Sequence, residues 1–215
     1  VLHTPGGSPM AAEAIVKYLR SKFGKNIRVI VPHMAMSAGT MIACSAKEII
    51  MGKQSSLGPI DPQLNGIPAY SIQSEFEDAK IDLANGTQNF NYWRLLLSKY
   101  PAAYVKMAMD AIALSDTLLR EWLGSCMLED AASETIEKVC NSLNEHVDSK
   151  AHARHFDASF CKSIGLHIID LEADQRLQDA VLSVHHCYVH TFASTAAVKI
   201  IENQNGKAFI NICRQ

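Results

Sequence analysis

The chain has 215 residues, 48% of them apolar, and 20 Lys and Arg against 22 Asp and Glu give a formal charge of -2. This is enough for one full domain of about 150–200 residues plus an appendage, and nothing in the balanced charge suggests a dedicated nucleic-acid or acidic-lipid surface. Six cysteines without a CxxC pair read as reduced core thiols and not as a disulfide framework, and no run approaches the roughly 18 apolar residues of a membrane span.

In chain order, Val1-Leu2-His3 reads as the middle of a strand, so an upstream segment is expected. The expected location is therefore cytoplasmic, or membrane-associated if that upstream segment is an anchor. In Thr4-Pro5-Gly6-Gly7-Ser8-Pro9, the glycines permit a turn with positive φ and a close approach to the main chain. Ser8 followed by Pro9 is an N-cap with Pro at N1. A helix is predicted over 9–23, with Ala11, Ala12, Ile15, Leu19 and Phe23 on its apolar face and Gly24 as its stop. Ile27 to Val31 should form a strand, joined to the first by a right-handed crossover. Pro32 ends it, and Ser37-Ala38-Gly39 opens an apolar helix over 38–46. Short strands follow over 48–51 and 56–60, then helices over 70–84 and 90–100. Beyond Pro101 a helix runs to about 123, with Val105, Ala108, Met109 and Ile112 in one stripe. A helix over 129–146, a short one over 157–164 ending at Gly165, and a strand over 166–171 come next. The last long helix starts near Ala173 and passes Leu177, Val181, Val184 and Tyr188. This alternation is that of an α/β sheet protein. It is read as a single domain over 1–215, with a helical insert at about 88–150 and C-terminal helices at about 173–203.

The stretch VPHMAMSAGTMIACSAKEIIMGKQSSLGPIDP, residues 31–62, centres on Ser37. A serine on a tight turn between strand and helix presents its hydroxyl at the top of a sheet, where the N–H groups of the first helical turn lie unpaired. Gly7 and Ser37 each follow a parallel strand, so both turns open at the carboxyl edge, where open α/β sheets bind ligands. The Gly7 and Ala38 N–H groups are candidates for an oxyanion hole beside Ser37; one such donor is worth about 2.7–4 kcal/mol in a barrier. The plainer reading is that Gly6-Gly7 is only a turn and Ser37 only an N-cap, since a nucleophile without a base is half a site.

HTPGGSP and PHMAMSAGTMIACSAKEIIMGKQSSLGPIDPQL resemble the Gly-Gly oxyanion strand and nucleophile turn of the Clp-type serine peptidases. GPIDPQLNGIPA and DQRLQDAVLSVHHCYVHTFASTAAVKIIENQNGKAFI narrow this: the chain resembles the serine dehydrogenase proteinase family, related to signal peptide peptidase A. The resemblance implies an α/β Clp protease/crotonase-like fold of β-β-α repeats with helical additions, a bacterial serine-type endopeptidase, and a homo-oligomer. It implies Ser37 as nucleophile, Gly7 as the oxyanion glycine and Ala38 as the second donor. Asp61 stands where Clp protease has its histidine, so a Ser-His-Asp triad of that type is absent. Signal peptide peptidase A resembles this chain in lacking that histidine and uses a Ser–Lys dyad; the matching lysine is Lys80.

Lys80 serves as base if a closed cleft pulls its pKa from about 10.4 toward 7–8. Against this, Glu75, Glu77, Asp78, Lys80 and Asp82 read as a solvated face, and Glu77 has the i−3 spacing that keeps a lysine charged. Histidines are the alternative bases: His33, four residues before Ser37, and His152 and His155, which flank Arg154. His186 and His190 are one turn apart, a zinc-ligand spacing. No Glu stands at the HExxH position, so the cluster with His185 reads as packed or hydrogen-bonded histidines and no metal is expected. Met107, Met109 and Met127 line either core or an apolar peptide groove.

Two functions from different classes fit. One is a serine peptidase that needs no cofactor; the sequence has no GxxxxGK[ST] stretch for an intrinsic ATPase. Its partner is a peptide or protein substrate, with no nucleic acid, and a membrane only through an upstream segment. The other is a non-catalytic Clp-fold module that binds peptide or scaffolds an oligomer. A crotonase-like acyl-CoA enzyme is a third option, in which the two donors serve a thioester and the Ser37 hydroxyl has no task.

Overall fold

Helix α1 (Pro9–Phe23) has the predicted bounds: it starts with Pro at its first turn and stops at Gly24, whose N–H donates to Arg20 O. The computed structural model describes residues 1–144 and 154–213. Strands β1 (Arg28–Val31) and β2 (Met34–Ala35) are separated at Pro32, which cannot donate to a ladder. Helix α2 (Ala38–Cys44) follows Ser37, then β3 (Glu48–Met51) and β4 (Ser56–Leu57). β4 is shorter than the predicted 56–60 because Pro59 breaks the ladder, while Ile60 N–H donates to Leu143 O at 2.9 Å.

An antiparallel hairpin, β5 (Gln63–Leu64) and β6 (Ile67–Pro68), comes next. Its Asn65-Gly66 turn has φ of 52° and 81°, the two positive values of a two-residue hairpin loop. Helices α3 (Ala69–Asn85), α4 (Phe90–Leu97) and α5 (Tyr104–Trp122) follow. α5 ends close to the expected 123 but continues directly into a π-helical turn, Leu123–Met127. Arg20 accounts for that ending: its guanidinium donates to Ser125 Oγ at 2.8 Å and to the Ser45 and Trp122 carbonyls at 3.0 Å. Helix α6 (Ser133–Asn144), helix α7 (Ala158–Ile164) and strand β7 (Ile168–Asp170) complete the first of two compact units, Val1–Asp170. Asp157 caps α7 by accepting from Phe160 N–H.

In this unit β1, β3 and β7 form a parallel sheet in the order β1-β3-β7, with Val31 opposite Met51 and Met51 opposite Asp170. Val31, Ile49 and Met51 are fully buried, in one core with Val16, Met41, Leu119, Leu123, Val139 and Cys161. Alternation is lost in β3 because both faces of a parallel strand are covered. A smaller parallel pair, β2-β4, lies beyond the carboxyl end of this sheet. The architecture is α/β, as the sequence indicates.

The second unit is Leu171–Gln215. Helix α8 (Gln175–Ser194) is capped by Asp174, which accepts from the Arg176 and Leu177 N–H groups. Strands β8 (Ala197–Glu202) and β9 (Ala208–Ile212) form an antiparallel hairpin. The C-terminal helix ends at Ser194 and not near 203 as expected. The reason lies in Ala197-Val198-Lys199-Ile200-Ile201, a β-branched run, and in Gly206 at φ 72°, which turns the chain back. No helix among the described residues is long and apolar enough to cross a membrane.

Candidate active site

The residues before α1 lie alongside β2. Thr4 N–H donates to Met34 O at 3.1 Å and Met36 N–H to Thr4 O at 3.0 Å, a parallel pairing. On the other side of β2, Met34 pairs with Ser56 and Ala35 with Leu57. Leu57 in turn exchanges both backbone bonds with Phe156, at 2.9 and 2.8 Å. Segments far apart in the chain, around Thr4, Ala35, Leu57 and Phe156, therefore lie side by side, and β2 runs from the middle of them into Ser37.

At Ser37 the backbone has φ 52° and ψ -115°. Side chains other than glycine reach this region only under strain of about 1–3 kcal/mol. Two contacts hold it there. Gly6, at φ 118°, lies against the turn so closely that a Cβ on it would sit 3.1 Å from both Met36 O and Ser37 Cβ. Thr40 Oγ1, buried, donates within 2.8 Å of the Ala35 and Gly58 carbonyls and accepts from Gly58 N–H at 3.1 Å. Ser37 is half-buried and makes no side-chain capping bond. Among the described residues its hydroxyl has no hydrogen-bond partner, and neither the Gly7 nor the Ala38 N–H donates to any group. One free hydroxyl and two free backbone donors thus belong to adjoining turns. A simple N-cap role for Ser37 does not fit this geometry, because a cap engages an N–H of the first turn.

The expected bases lie in different surroundings. Lys80 is on the exposed side of α3, its side chain 70% exposed and paired with Glu77 at 2.6 Å; burial of the kind that would free its amine is not present. His33 is exposed, and its ring stacks on that of His3 with centroids 5.4 Å apart. Burial, and then the charge of His33, lower the pKa of His3. His152 lies outside the described residues. His155 is exposed, and its Nδ1 is 2.8 Å from Ser56 Oγ. His186 and His190 are exposed on α8. Asp61 is 3% exposed; the nearby Tyr70 phenol is pushed up by burial first and then by Asp116 and Asp61. Gly6, Thr40 and Ser56 were not singled out from sequence. Gly6 was visible as half of a glycine doublet, whereas Thr40 and Ser56 carry no local signal.

Residues 1–87 match the family model of the ClpP-like SDH-type serine proteinases. This portion of the chain, which holds Ser37, Gly6, Gly7, Ala38, Asp61 and Lys80, is similar to that family of serine proteinases. Two relatives come from Methanocaldococcus jannaschii. Uncharacterized protein MJ0137 is 44% identical over 115 residues, 46% of this chain and 40% of the relative. Uncharacterized protein MJ1495 is 49% identical over 72 residues, 34% of this chain and 24% of the relative. The chain thus spans less than half the length of either. Both relatives are archaeal, so the expectation of a bacterial protein finds no support in them. No solved structure matches the chain.

Proposed function

We propose that the chain is an ATP-independent serine endopeptidase on a Clp/crotonase-like scaffold of β-β-α repeats, acting through an acyl-enzyme at Ser37. Ser37 Oγ attacks a peptide carbonyl, and the Gly7 and Ala38 N–H groups hold the resulting oxyanion. A basic side chain passes the serine proton to the leaving amine, and water then releases the acyl group. The observation that carries this reading is the strained Ser37 turn: its hydroxyl is unengaged, and Gly6 of the Gly6-Gly7 turn is packed against it. Strain of this kind persists where the surroundings over-determine it, and it gathers at functional sites.

For Lys80 to serve, substrate closure has to strip away Glu77 and desolvate the amine; His33, His152 and His155 are the other bases in play. The substrate is a peptide or protein. The scaffold operates as a homo-oligomer, for which the exposed Phe90, Tyr92 and Leu95 of α4 offer contact surface.

A fluorophosphonate probe tests this. The protein is expected to become covalently labelled, with labelling abolished in Ser37→Ala. One observation favours a second reading, the non-catalytic peptide-binding module: among the described residues no side-chain nitrogen is in hydrogen-bond contact with the Ser37 hydroxyl. Absent labelling with retained peptide binding would establish that reading instead.

A further inference from the structure

We infer that His155 is the base of the Ser37 site and that Ser56 is the residue that positions it; this rests on Ser37 being the nucleophile. Strand register sets the positions of these residues. Leu57 and Phe156 exchange both backbone bonds, so they are a directly opposed antiparallel pair. Gly58 is then opposite His155. On its other side Gly58 continues the β2-β4 register, beside Met36: a Cβ on Gly58 would lie 3.3 Å from Met36 Cα.

Ala35, Leu57 and Phe156 are at most 2% exposed and face the core. Strand alternation therefore puts Met36, Gly58 and His155 on the opposite face, in one row across three strands. Two strand spacings place His155 about 10 Å from Met36, backbone to backbone. Ser37 is the next residue after Met36, at the end of the row toward Gly6. Gly58, the middle position, has no side chain of its own, and a Cβ there would meet Met36 Cε at 2.4 Å. The flexible Met36 thioether thus lies over Gly58, between the imidazole and Ser37 in this row. A bound peptide that shifts Met36 opens the path, consistent with catalytic contacts that tighten only in the substrate complex.

Ser56 supplies what a catalytic imidazole needs. Its Oγ is 2.8 Å from His155 Nδ1, and Ser56 is itself 7% exposed, its N–H fixed on His33 O at 2.8 Å. When Ser56 Oγ accepts from Nδ1–H, Nε2 keeps its lone pair and the ring is held in one tautomer and one orientation. The proton transfer then balances. The Ser37 O–H bond breaks and its proton goes to Nε2, while an Oγ–C bond forms to the carbonyl carbon. The C=O π pair moves to the oxygen held by Gly7 and Ala38. As the C–N bond breaks, Nε2–H returns the proton to the leaving amine.

The experiment measures the rate of fluorophosphonate labelling of the full chain. There the Oγ–P bond forms, fluoride leaves, and the proton again goes to the base. His155→Ala is expected to slow labelling about 10²- to 10⁴-fold, and free imidazole in the buffer is expected to restore much of it. Ser56→Ala is expected to slow it about 10- to 100-fold, the worth of one hydrogen bond to a charged ring, with Ser56→Thr close to wild type. Imidazole rescue separates a base from a structural residue, which added imidazole does not replace. If the wild type does not label at all, the nucleophile reading fails. If the wild type labels and His155→Ala labels at the same rate, or is slowed without rescue, the base assignment is overturned while Ser37 stands. Full labelling in Ser56→Ala overturns the positioning role.

Discussion

Ser37 bears two demands that glycine separates. The turn asks for φ 52° and ψ -115°, which glycine adopts freely, whereas the proposed chemistry asks for a hydroxyl. Ser37→Gly is expected to leave the protein more stable than Ser37→Ala by about 1 kcal/mol in urea unfolding, the strain relieved being partly offset by the entropy of the unfolded glycine. Neither variant should label. Equal stability of the two would mean that the turn stores no strain. Gly6→Ala probes the same place from the other side. Its φ of 118° and the 3.1 Å approach to Met36 O and Ser37 Cβ leave a methyl no relaxed position. A loss of about 1–3 kcal/mol is expected, together with slowed labelling, because the displaced group is the proposed nucleophile.

Among the elements, α2 is the one that fixes the site, and it does so through Thr40. The hydroxyl joins the carbonyl of Ala35 on β2 to Gly58 just beyond β4, with bonds of 2.8 Å to each carbonyl. Thr40→Val keeps the shape but leaves the buried Gly58 N–H and both carbonyls without this partner, so a loss of about 1–3 kcal/mol is expected by urea or thermal unfolding. A smaller loss in labelling rate should accompany it, since Gly58 is the floor between Met36 and His155. A Thr40→Val protein as stable as wild type would show that water replaces the hydroxyl. Much of this element layer was legible from local chemistry. Pro9 and Gly24 mark the two ends of α1, although the Ser8 side chain makes no capping bond, and the Glu48–Met51 strand was read with its observed bounds. The β8-β9 hairpin was missed because the helical period of α8 was extended past Ser194 into a β-branched run, and the β5-β6 hairpin because Asn65-Gly66 was not weighed as a turn. The candidate site divides in the same way. Ser37 and the glycine doublet announce themselves by spacing, whereas Ser56 and His155 are 99 positions apart and meet only through strand pairing, to which a local pattern is blind.

The first unit as a whole is closed by contacts among helices from its beginning, middle and end, and its thiols report on that closure. Cys44 on α2, Cys140 on α6 and Cys161 on α7 are all buried and free. Burial is the main cause that pushes all three thiols up, Cys140 to about 11 and Cys161 to about 12 from an ordinary 9.0. A thiol that binds its proton more tightly when folded leaves stability intact below the unfolded value near 9.0. That stability is then lost as pH rises from there toward 11 and 12, because the unfolded chain ionises first. The urea midpoint is therefore expected to fall between pH 9 and 11, and the fall should be shallower in a Cys140→Ala, Cys161→Ala double variant, whatever the two cavities cost at neutral pH. Tyr100, raised to about 12 by its bond to Glu75, adds to the fall in both proteins and so cancels in the comparison. At pH 8, iodoacetamide should reach Cys187 and Cys213, which are exposed, while the three core thiols react only after urea opens the unit. Equal slopes with pH in the two proteins, or core alkylation without urea, would mean that α2, α6 and α7 do not seal the interior behind the Ser37 turn.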